Sequence, residues 1–352
     1  MPDSSAPAEP VDLRSDTVTK PTPAMRRAMA EAEVGDDVFG EDPTINRLQE
    51  ESARRLGFEA ALYVPSGSMA NQASIYTHTQ PGDEVILEAS SHVLAYEVGA
   101  LASVSGVLAC PLPGVRGAMD PETVAERIRA GSLHQPPTAL ICLENTHNNA
   151  SGAVLPREHI AAIVELAHDR GVPVHIDGAR IFNAAVALDM DPAELVAGAD
   201  SVSFCFSKGL CAPVGSVICA SHDFIDRARR ARKMLGGGMR QAGVIAAAAL
   251  VALHEMVDRL AEDHENARLL AEALVDMPGI RLDMDSIQTN IVIFEVARDD
   301  LDAETLVARL KERGVLCLPR GPRDIRFVTH HDVSREGVLF AIQAVREILG
   351  PP

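Results

Sequence analysis

The sequence predicts an α/β fold: a mostly parallel sheet flanked by helices, followed by a smaller C-terminal α+β domain. Short apolar runs alternate with helical patterns as far as Ser221, and this spacing is typical of a parallel sheet covered on both faces. The pattern is then almost wholly helical to Met277, and strands return in the tail. Because 352 residues exceed one ordinary core, two domains are expected.

Helix start and stop signals separate the predicted strands. Asp42 and Pro43 open a helix that Gly57 closes, and Asp120 with Pro121 opens another. Strands in the first domain are predicted at 61–64, 84–87, 107–111, 139–143, 172–176, 201–206 and 216–219. In the tail, strands are predicted at 290–296 and 325–329, and helices at 303–313 and 334–349.

The domain boundary is predicted inside a long helix that starts near Met239. The chain then divides into a flexible N-terminus at 1–10, a large domain at 11–255 and a small domain at 256–352. Residues 242–253 are apolar on every face, so this segment belongs either in the core or in a subunit interface.

Composition restricts the class of ligand. With 50 acidic and 32 basic residues the net charge is −18, which disfavours nucleic acid and anionic membranes and favours a small-molecule substrate or a protein partner. The longest apolar run is too short to span a bilayer. The first ten residues lack the apolar core of a signal peptide, which predicts a cytoplasmic location.

Neither disulfides nor a metal site is expected. The six cysteines show no CxxC pairing, as in reduced core cysteines, and the segments HEMVD and HENAR lack the second histidine of a zinc motif.

Two charged residues follow predicted strands directly. Asp177 follows 172–176 and Lys208 follows 201–206, and ligands of open α/β sheets bind at the carboxyl ends of strands. Of the four lysines, only Lys208 has this position. Burial in a dry cleft lowers the pKa of a lysine, and such amines form Schiff bases. Lys208 is therefore a candidate functional amine.

A pyridoxal phosphate enzyme also needs a carboxylate that keeps the pyridine nitrogen of the cofactor protonated. Asp177 can supply it. Taken alone, an Asp-Gly turn and a solvated lysine are the more ordinary interpretations of these positions. Together, Asp177 and Lys208 favour the cofactor.

Other candidates follow strands of the same predicted sheet. Gly67 and Ser68 lie at a helix start, where backbone N–H groups can bind a phosphate, although an ordinary capped helix explains them equally well. His92 could stack on the pyridine ring, but alone it is better interpreted as a polar surface residue. The polar run 144–149 brings further hydrogen-bonding groups to this edge.

Long motifs spread over nearly the whole chain occur in the order found in one enzyme family. They are DLRSDTVT (12–19), GDDVFGEDP (35–43), LENTHNN (143–149), HIDGARIFNA (175–184), SKGLCAPVGS (207–216), RKMLGGGMRQAG (232–243), EDHENA (262–267) and RFVTH (326–330). The chain resembles the low-specificity L-threonine aldolases, which belong to the fold-type I (aspartate aminotransferase-like) pyridoxal phosphate enzymes.

The resemblance implies roles for the residues that hold the cofactor. Lys208 would carry pyridoxal phosphate as a Schiff base, and Asp177 would pair with the pyridine nitrogen. Gly67 and Ser68 would hold the phosphate, with serine where the family often has threonine. His92 would stack on the ring.

The resemblance also implies the substrate contacts. Arg180 would reach the phenolic oxygen of the cofactor or the substrate carboxylate, and Ser15 and Arg326 would bind that carboxylate with it. His147 would lie near the β-hydroxyl of the substrate. Either His147 or an ordered water would be the base that removes the hydroxyl proton.

Two further cationic residues, Lys233 and Arg240, bear on the assembly of subunits. By the resemblance, Lys233 and Arg240 would reach the cofactor phosphate of a neighbouring chain, which implies a homodimer or a homotetramer built from dimers. The residues alone favour a solvated basic face and a buried core helix joined by the loop 236–238.

The implied reaction is retro-aldol cleavage of L-threonine or L-allo-threonine to glycine and acetaldehyde. A β-eliminating lyase or an aminotransferase would use the same lysine and aspartate, and a non-catalytic α/β binding protein is the alternative from another class. The sequence does not choose between threonine and allo-threonine.

Overall fold

The computed structural model describes residues 9–350. The segment predicted as a flexible N-terminus, residues 1–10, lies outside the described residues apart from Glu9 and Pro10. The described chain forms an α/β unit on a seven-stranded sheet and a smaller α+β unit on a four-stranded sheet, which confirms the predicted fold class.

The strands and helices are numbered in chain order. The strands are β1 Val11–Asp12, β2 Ala60–Val64, β3 Glu84–Glu88, β4 Leu108–Leu112, β5 Gly114–Val115, β6 Ala118–Met119, β7 Thr138–Glu144, β8 Val174–Asp177, β9 Ser201–Cys205, β10 Ser216–Ala220, β11 Ile280–Arg281, β12 Ile291–Val296, β13 Val315–Leu316, β14 Leu318–Pro319 and β15 Asp324–Val328. The helices are α1 Pro23–Ala30, α2 Pro43–Leu56, α3 Gly67–His78, α4 His92–Ala95, α5 Pro121–Arg127, α6 Arg157–His168, α7 Ile181–Ala187, α8 Pro192–Leu195, α9 His222–Met234, α10 Gly243–Glu255, α11 Leu260–Val275, α12 Ala303–Glu312 and α13 Arg335–Leu349.

The large sheet has the strand order β2-β10-β9-β8-β7-β3-β4. Every pair is parallel except those of β10, which is antiparallel to both β2 and β9. Helices cover both faces of the sheet, and every residue of β3, β9 and β10 is buried.

The parallel strands bring their carboxyl ends to one edge of the sheet. The residues after β2, β3, β7, β8 and β9 therefore emerge side by side. These are the segments in which the sequence predicts functional side chains, and their order in space comes from the sheet topology.

The smaller unit has its own core. Helices α11, α12 and α13 pack with the antiparallel sheet β11-β12-β15-β14 around a second apolar cluster. The side chains of Val11 and Leu13 belong to this cluster, because β1 pairs in parallel with β13. The division of the chain near residue 255 stays a prediction.

The long helix predicted from Met239 is wrong, since the structure has two helices, α10 and α11, with a break at 256–259. Helix α10 begins only at Gly243, whose N–H donates to the Asp42 carboxylate at 2.8 Å. A Cβ at Gly243 would lie 2.6 Å from Asp42 Oδ1, so this close approach requires glycine.

All six cysteines are buried, as the sequence predicts for core residues. Within residues 9–350, none of the helices combines the length and apolar character needed to cross a membrane.

Candidate active site

A cavity of about 420 Å³ opens where the carboxyl edge of the large sheet meets the smaller unit. Its volume lies in the range of small-molecule sites. The structure brings five of the predicted residues to its wall: Ser15, His92, Arg180, Lys208 and Arg326. The remaining lining residues are Thr17, Tyr96, Asn148, Leu318, Pro319 and Arg320.

Lys208 lies three residues beyond β9, in a turn that hydrogen bonds hold in place. Its carbonyl oxygen accepts from Thr19 Oγ1 at 3.0 Å and from the Cys211 N–H at 2.9 Å. The side chain is partly buried and lines the cavity. A reactive amine at this place has access to a ligand while its backbone stays fixed.

Asp177 ends β8, next to β9, and its carboxylate is buried. Oδ1 accepts from the Ala179 N–H at 3.1 Å, and Oδ2 accepts from Asn71 Nδ2 at 2.8 Å. Both donors are neutral, so they fix the orientation of the carboxylate without neutralising its charge. An ionised ring nitrogen is the kind of partner that such a carboxylate lacks.

A buried network of polar side chains holds Asn71, the residue that donates to Asp177, in position. The Asn71 amide oxygen accepts from Ser203 Oγ at 2.9 Å and lies 3.3 Å from His175 Nε2, and His175 Nδ1 lies 2.8 Å from Ser201 Oγ. Burial lowers the pKa of His175 to about 4, so it is neutral at pH 7.

Sequence reasoning missed this network, although β8 and β9 carried a signal. Polar residues occupy alternate positions of both strands, His175 with Asp177 and Ser201 with Ser203. Alternate residues of a strand point to the same face, so the pattern marks one polar face inside an otherwise apolar sheet.

His92 begins α4 at the cavity wall, and its N–H donates to Glu144 Oε2 at 2.6 Å. Burial opposes protonation of its ring, but the hydrogen bond to Glu97 at 3.1 Å and the charge of Asp177 outweigh burial and raise the pKa. Ligand atoms of His92, Glu97 and Asp177 lie within 4.8 Å of one another. Glu97 already accepts hydrogen bonds from Asn71 and Gln72, which accounts for this cluster without a metal.

Arg180 forms a bidentate ion pair with Asp16, at 2.6 and 2.7 Å, and both side chains are buried. Burial would raise the pKa of Asp16, but the Arg180 guanidinium outweighs it and holds that pKa well below its usual range. Sequence reasoning assigned no role to Asp16. The two residues are 164 positions apart, and no local pattern connects them.

Asp16→Asn should lower the free energy of unfolding by about 3–5 kcal/mol, because it leaves the Arg180 charge buried and unpaired. Asp12→Asn is the matched control, since the Asp12–Arg14 pair is more exposed and should contribute at most about 1 kcal/mol. Denaturant titration measures both. If Asp16→Asn lowers the free energy of unfolding by no more than Asp12→Asn does, this expectation is contradicted.

The contribution of Asp16 to the free energy of unfolding should depend on pH in a definite direction. The pKa of Asp16 is depressed in the folded protein, so its contribution is present above the ordinary value of 3.8 and is lost as the pH falls below it. The stability difference between the wild type and Asp16→Asn should therefore shrink in acid.

Arg180 and Arg326 converge on the same neutral acceptor. Arg326 Nη1 lies 3.2 Å and Arg180 Nη1 3.5 Å from Asn148 Oδ1. Burial and the charge of Arg180 lower the pKa of Arg326, and its buried Nε has no hydrogen-bond partner within the described chain. Two guanidinium groups on one amide oxygen leave donors for an anion.

His147 is not among the residues that line the cavity. It is fully buried, with Nε2 3.0 Å from Glu88 and 3.8 Å from Glu144. Burial opposes its protonation, but these two carboxylates outweigh burial and raise its pKa. A contact between His147 and the substrate hydroxyl stays a prediction.

The predicted phosphate residues lie at the same sheet edge. Gly67 begins α3, and a Cβ there would lie 2.8 Å from Cys205 Sγ at the end of β9, so the site requires a residue without a side chain. Ser68 is exposed and follows the Ser66 cap, whose hydroxyl accepts from the Met69 N–H. Neither Gly67 nor Ser68 lines the cavity itself.

Lys233 and Arg240 are exposed and are not among the residues that line the cavity of their own chain. Arg240 Nη1 pairs with Asp36 at 3.0 Å, and its carbonyl accepts from the Asp37 N–H at 3.1 Å. Their contact with a neighbouring chain stays a prediction.

The charge of the cavity is opposite to that of the protein. Among residues 9–350, four cationic side chains and no carboxylate line it, in a chain of net charge −18. In the part of the chain that the structure describes, Arg180 alone among these four has a carboxylate partner. The cavity therefore selects anions. Lys208 in the cavity wall, with Asp177 and the start of α3 at the same sheet edge, supplies the kinds of group that pyridoxal phosphate requires, and the arginines suit an amino acid carboxylate.

Comparison with known proteins agrees with this chemistry. Residues 12–297 match the Beta-eliminating lyase family. The chain is 47% identical over 344 residues to the Low-specificity L-threonine aldolase 1 of Arabidopsis thaliana, covering 96% of both chains. It is 42% identical over 327 residues to the Low specificity L-threonine aldolase of Escherichia coli K12, covering 93% of this chain and 95% of that one.

Among solved structures, the Leishmania major threonine aldolase shares the fold, with a TM-score of 0.80 at 18% identity. The match covers 97% of this chain and 100% of that one. With the lysine, the aspartate and the anion-selective cavity at one sheet edge, these matches place the chain in the Beta-eliminating lyase family, among its low-specificity L-threonine aldolases.

Proposed function

We propose that the protein is a pyridoxal phosphate-dependent aldehyde-lyase that cleaves L-threonine and L-allo-threonine between Cα and Cβ, giving glycine and acetaldehyde. The observation that carries the proposal is the position of Asp177 at the end of β8 and of Lys208 just beyond the end of the neighbouring strand β9, beside a cavity lined by arginines. The identity to threonine aldolases over nearly the whole chain supports the same activity.

Four groups would hold the cofactor. Lys208 supplies the amine for covalent attachment, Asp177 the carboxylate for the pyridine nitrogen, and the backbone at Gly67 and Ser68 the donors for the phosphate. The ring of His92 lies at the cavity wall, where stacking is possible. When bound, pyridoxal phosphate accepts the electron pair released as the Cα–Cβ bond breaks.

Arg326 and Arg180 would bind the α-carboxylate of the substrate, together with the Ser15 hydroxyl. Their guanidinium groups already converge on Asn148, so a carboxylate can join them at little cost in reorganisation. Asp16 holds Arg180 rigidly for this purpose. The fixed carboxylate then determines which bond of the substrate faces the cofactor.

Cleavage also requires a base for the β-hydroxyl proton. His147 and an ordered water are the two candidates. The burial of His147 against Glu88, outside the cavity wall, supports the water. His147 would then act as a positioning residue. It lies near Glu144, whose carboxylate accepts from the N–H of Asn148, and Asn148 lines the cavity.

The product assay separates aldol cleavage from its rivals. Purified enzyme with pyridoxal phosphate and L-threonine, and no keto acid, should release acetaldehyde and glycine in equal amounts. An aminotransferase needs a keto acid to turn over, and a β-eliminating lyase would release ammonia instead. Ammonia without acetaldehyde would contradict the proposal.

For assembly we propose a homotetramer built from dimers, and for location the cytoplasm. The support for assembly is that Lys233 and Arg240 are exposed cations beside a glycine loop and do not line their own cavity. A phosphate shared with a neighbouring chain would couple cofactor retention to assembly by mass action.

Arg240→Ala should weaken both cofactor affinity and assembly, each by about tenfold if one charge-assisted hydrogen bond is lost. Arg230→Ala removes an exposed charge from α9, the helix that carries Lys233, and should change neither. Light scattering and cofactor titration measure the two effects. A 37.5 kDa monomer with cofactor fully bound would contradict the assembly proposal.

A further inference from the structure

Arg320 brings a fourth cation to the cavity from the smaller unit. It follows β14, and its N–H donates to the Asp324 carbonyl at 2.7 Å, which fixes the turn between β14 and β15. Together with Leu318 and Pro319 it forms the wall of the cavity opposite the edge of the large sheet.

Neutral groups of the large unit hold the Arg320 guanidinium in position. Nη2 donates to the Tyr96 hydroxyl at 2.9 Å and to the Asn149 side-chain oxygen, and the Tyr96 hydroxyl donates to that oxygen at 3.0 Å. These contacts use one of the three guanidinium nitrogens and do not neutralise the charge. Arg320 is therefore positioned for an anion.

The other cations of the cavity have partners or roles. Arg180 forms an ion pair with Asp16. Arg326 and Arg180 both donate to the side-chain oxygen of Asn148. Lys208 is the amine proposed to bind the cofactor. In the described chain, Arg320 forms no ion pair with any carboxylate, and its charge adds to burial and Arg180 in lowering the pKa of Arg326. A ligand anion would relieve this repulsion.

We infer that Arg320 forms a subsite for a negatively charged group on the substrate side chain beyond Cβ. The enzyme would then cleave β-hydroxy-α-amino acids with an acidic side chain as well as neutral ones. Arg180 and Arg326 would bind the α-carboxylate of the substrate, and Arg320, next to Tyr96, would bind the anion of the side chain. This inference rests on the proposed aldolase function.

Cleavage kinetics test the subsite directly. The substrates are L-threonine and 3-hydroxyaspartate, in which a carboxylate replaces the methyl group, and glycine release reports on both. Arg320→Gln removes the charge and keeps a polar side chain. The ratio of kcat/KM for 3-hydroxyaspartate to that for threonine should fall about tenfold or more.

A binding measurement avoids dependence on turnover. L-Aspartate and its neutral isostere L-asparagine lack the β-hydroxyl, so aldol cleavage cannot occur, and their binding is followed by the visible absorption of the holoenzyme. The wild type should prefer aspartate, Arg320→Gln should lose the preference, and Arg320→Lys should keep part of it. Arg281→Gln removes an exposed charge of the same unit and should leave the preference unchanged.

Two outcomes would overturn the subsite. One is a wild type that binds aspartate no better than asparagine. The other is an Arg320→Gln variant that weakens threonine and 3-hydroxyaspartate equally, since Arg320 would then bind the α-carboxylate. If neither amino acid releases glycine, the aldolase function fails, while the aspartate and asparagine comparison still decides the subsite.

Discussion

Lys208→Ala should reduce threonine cleavage by about three orders of magnitude or more and remove the cofactor adduct that borohydride fixes to the protein. The physical reason is that Lys208 is the one lysine in the cavity wall within the described residues. The side chain is only partly buried, so its truncation should leave the fold intact. Circular dichroism checks the fold, and peptide mass spectrometry locates the adduct.

The remaining lysines supply matched controls. Lys20→Ala, Lys233→Ala and Lys311→Ala should each keep the adduct on Lys208, although Lys233→Ala should bind cofactor less tightly if it reaches a neighbouring phosphate. An adduct found on any of these three lysines in the wild type would overturn the assignment.

Asp177→Asn should lower kcat by about two or more orders of magnitude at saturating cofactor, on the scale of a lost electrostatic interaction in a buried site. The asparagine side chain can still accept from the Ala179 N–H, but it carries no charge to keep the pyridine nitrogen protonated. Steady-state kinetics with threonine measure the effect.

Asp189→Asn is the control for Asp177→Asn. Asp189 is exposed, and its φ of 49° is one that asparagine tolerates, so the substitution removes an acid without strain. Its turnover should match the wild type. Near-normal turnover of Asp177→Asn would refute the role of this carboxylate.

The sequence was sufficient to predict the sheet and the edge at which the cavity lies. Apolar strands ending in Asp177 and Lys208 are local patterns, and the parallel topology that brings them together follows from strand and helix alternation. Their spacing alone did not select the cofactor. The matched motifs did, because they add many positions in a fixed order.

Contacts between distant segments could not be predicted. Asp16 meets Arg180 only because β1 pairs with β13 and carries the N-terminal segment to the cavity. Arg320 reaches Tyr96 from the other unit, and each lies in a segment without a distinctive pattern. Such pairs depend on tertiary packing, which a single sequence does not encode locally.

His147 and Asn148 both follow β7, but only Asn148 lines the cavity. The position of His147 after β7 predicts a place at the ligand edge, and the polar run 144–149 does lie there. A one-residue difference decides which side of a strand end a side chain takes. Asn148 lines the cavity, whereas His147 packs behind it against Glu88.

The visible absorption spectrum of the purified protein tests the central claim most directly. With pyridoxal phosphate added and excess removed, the protein should retain a visible absorption band that changes on addition of glycine or L-threonine and is lost in Lys208→Ala. A protein that stays colourless after incubation with the cofactor would contradict a pyridoxal phosphate site at Lys208 and Asp177.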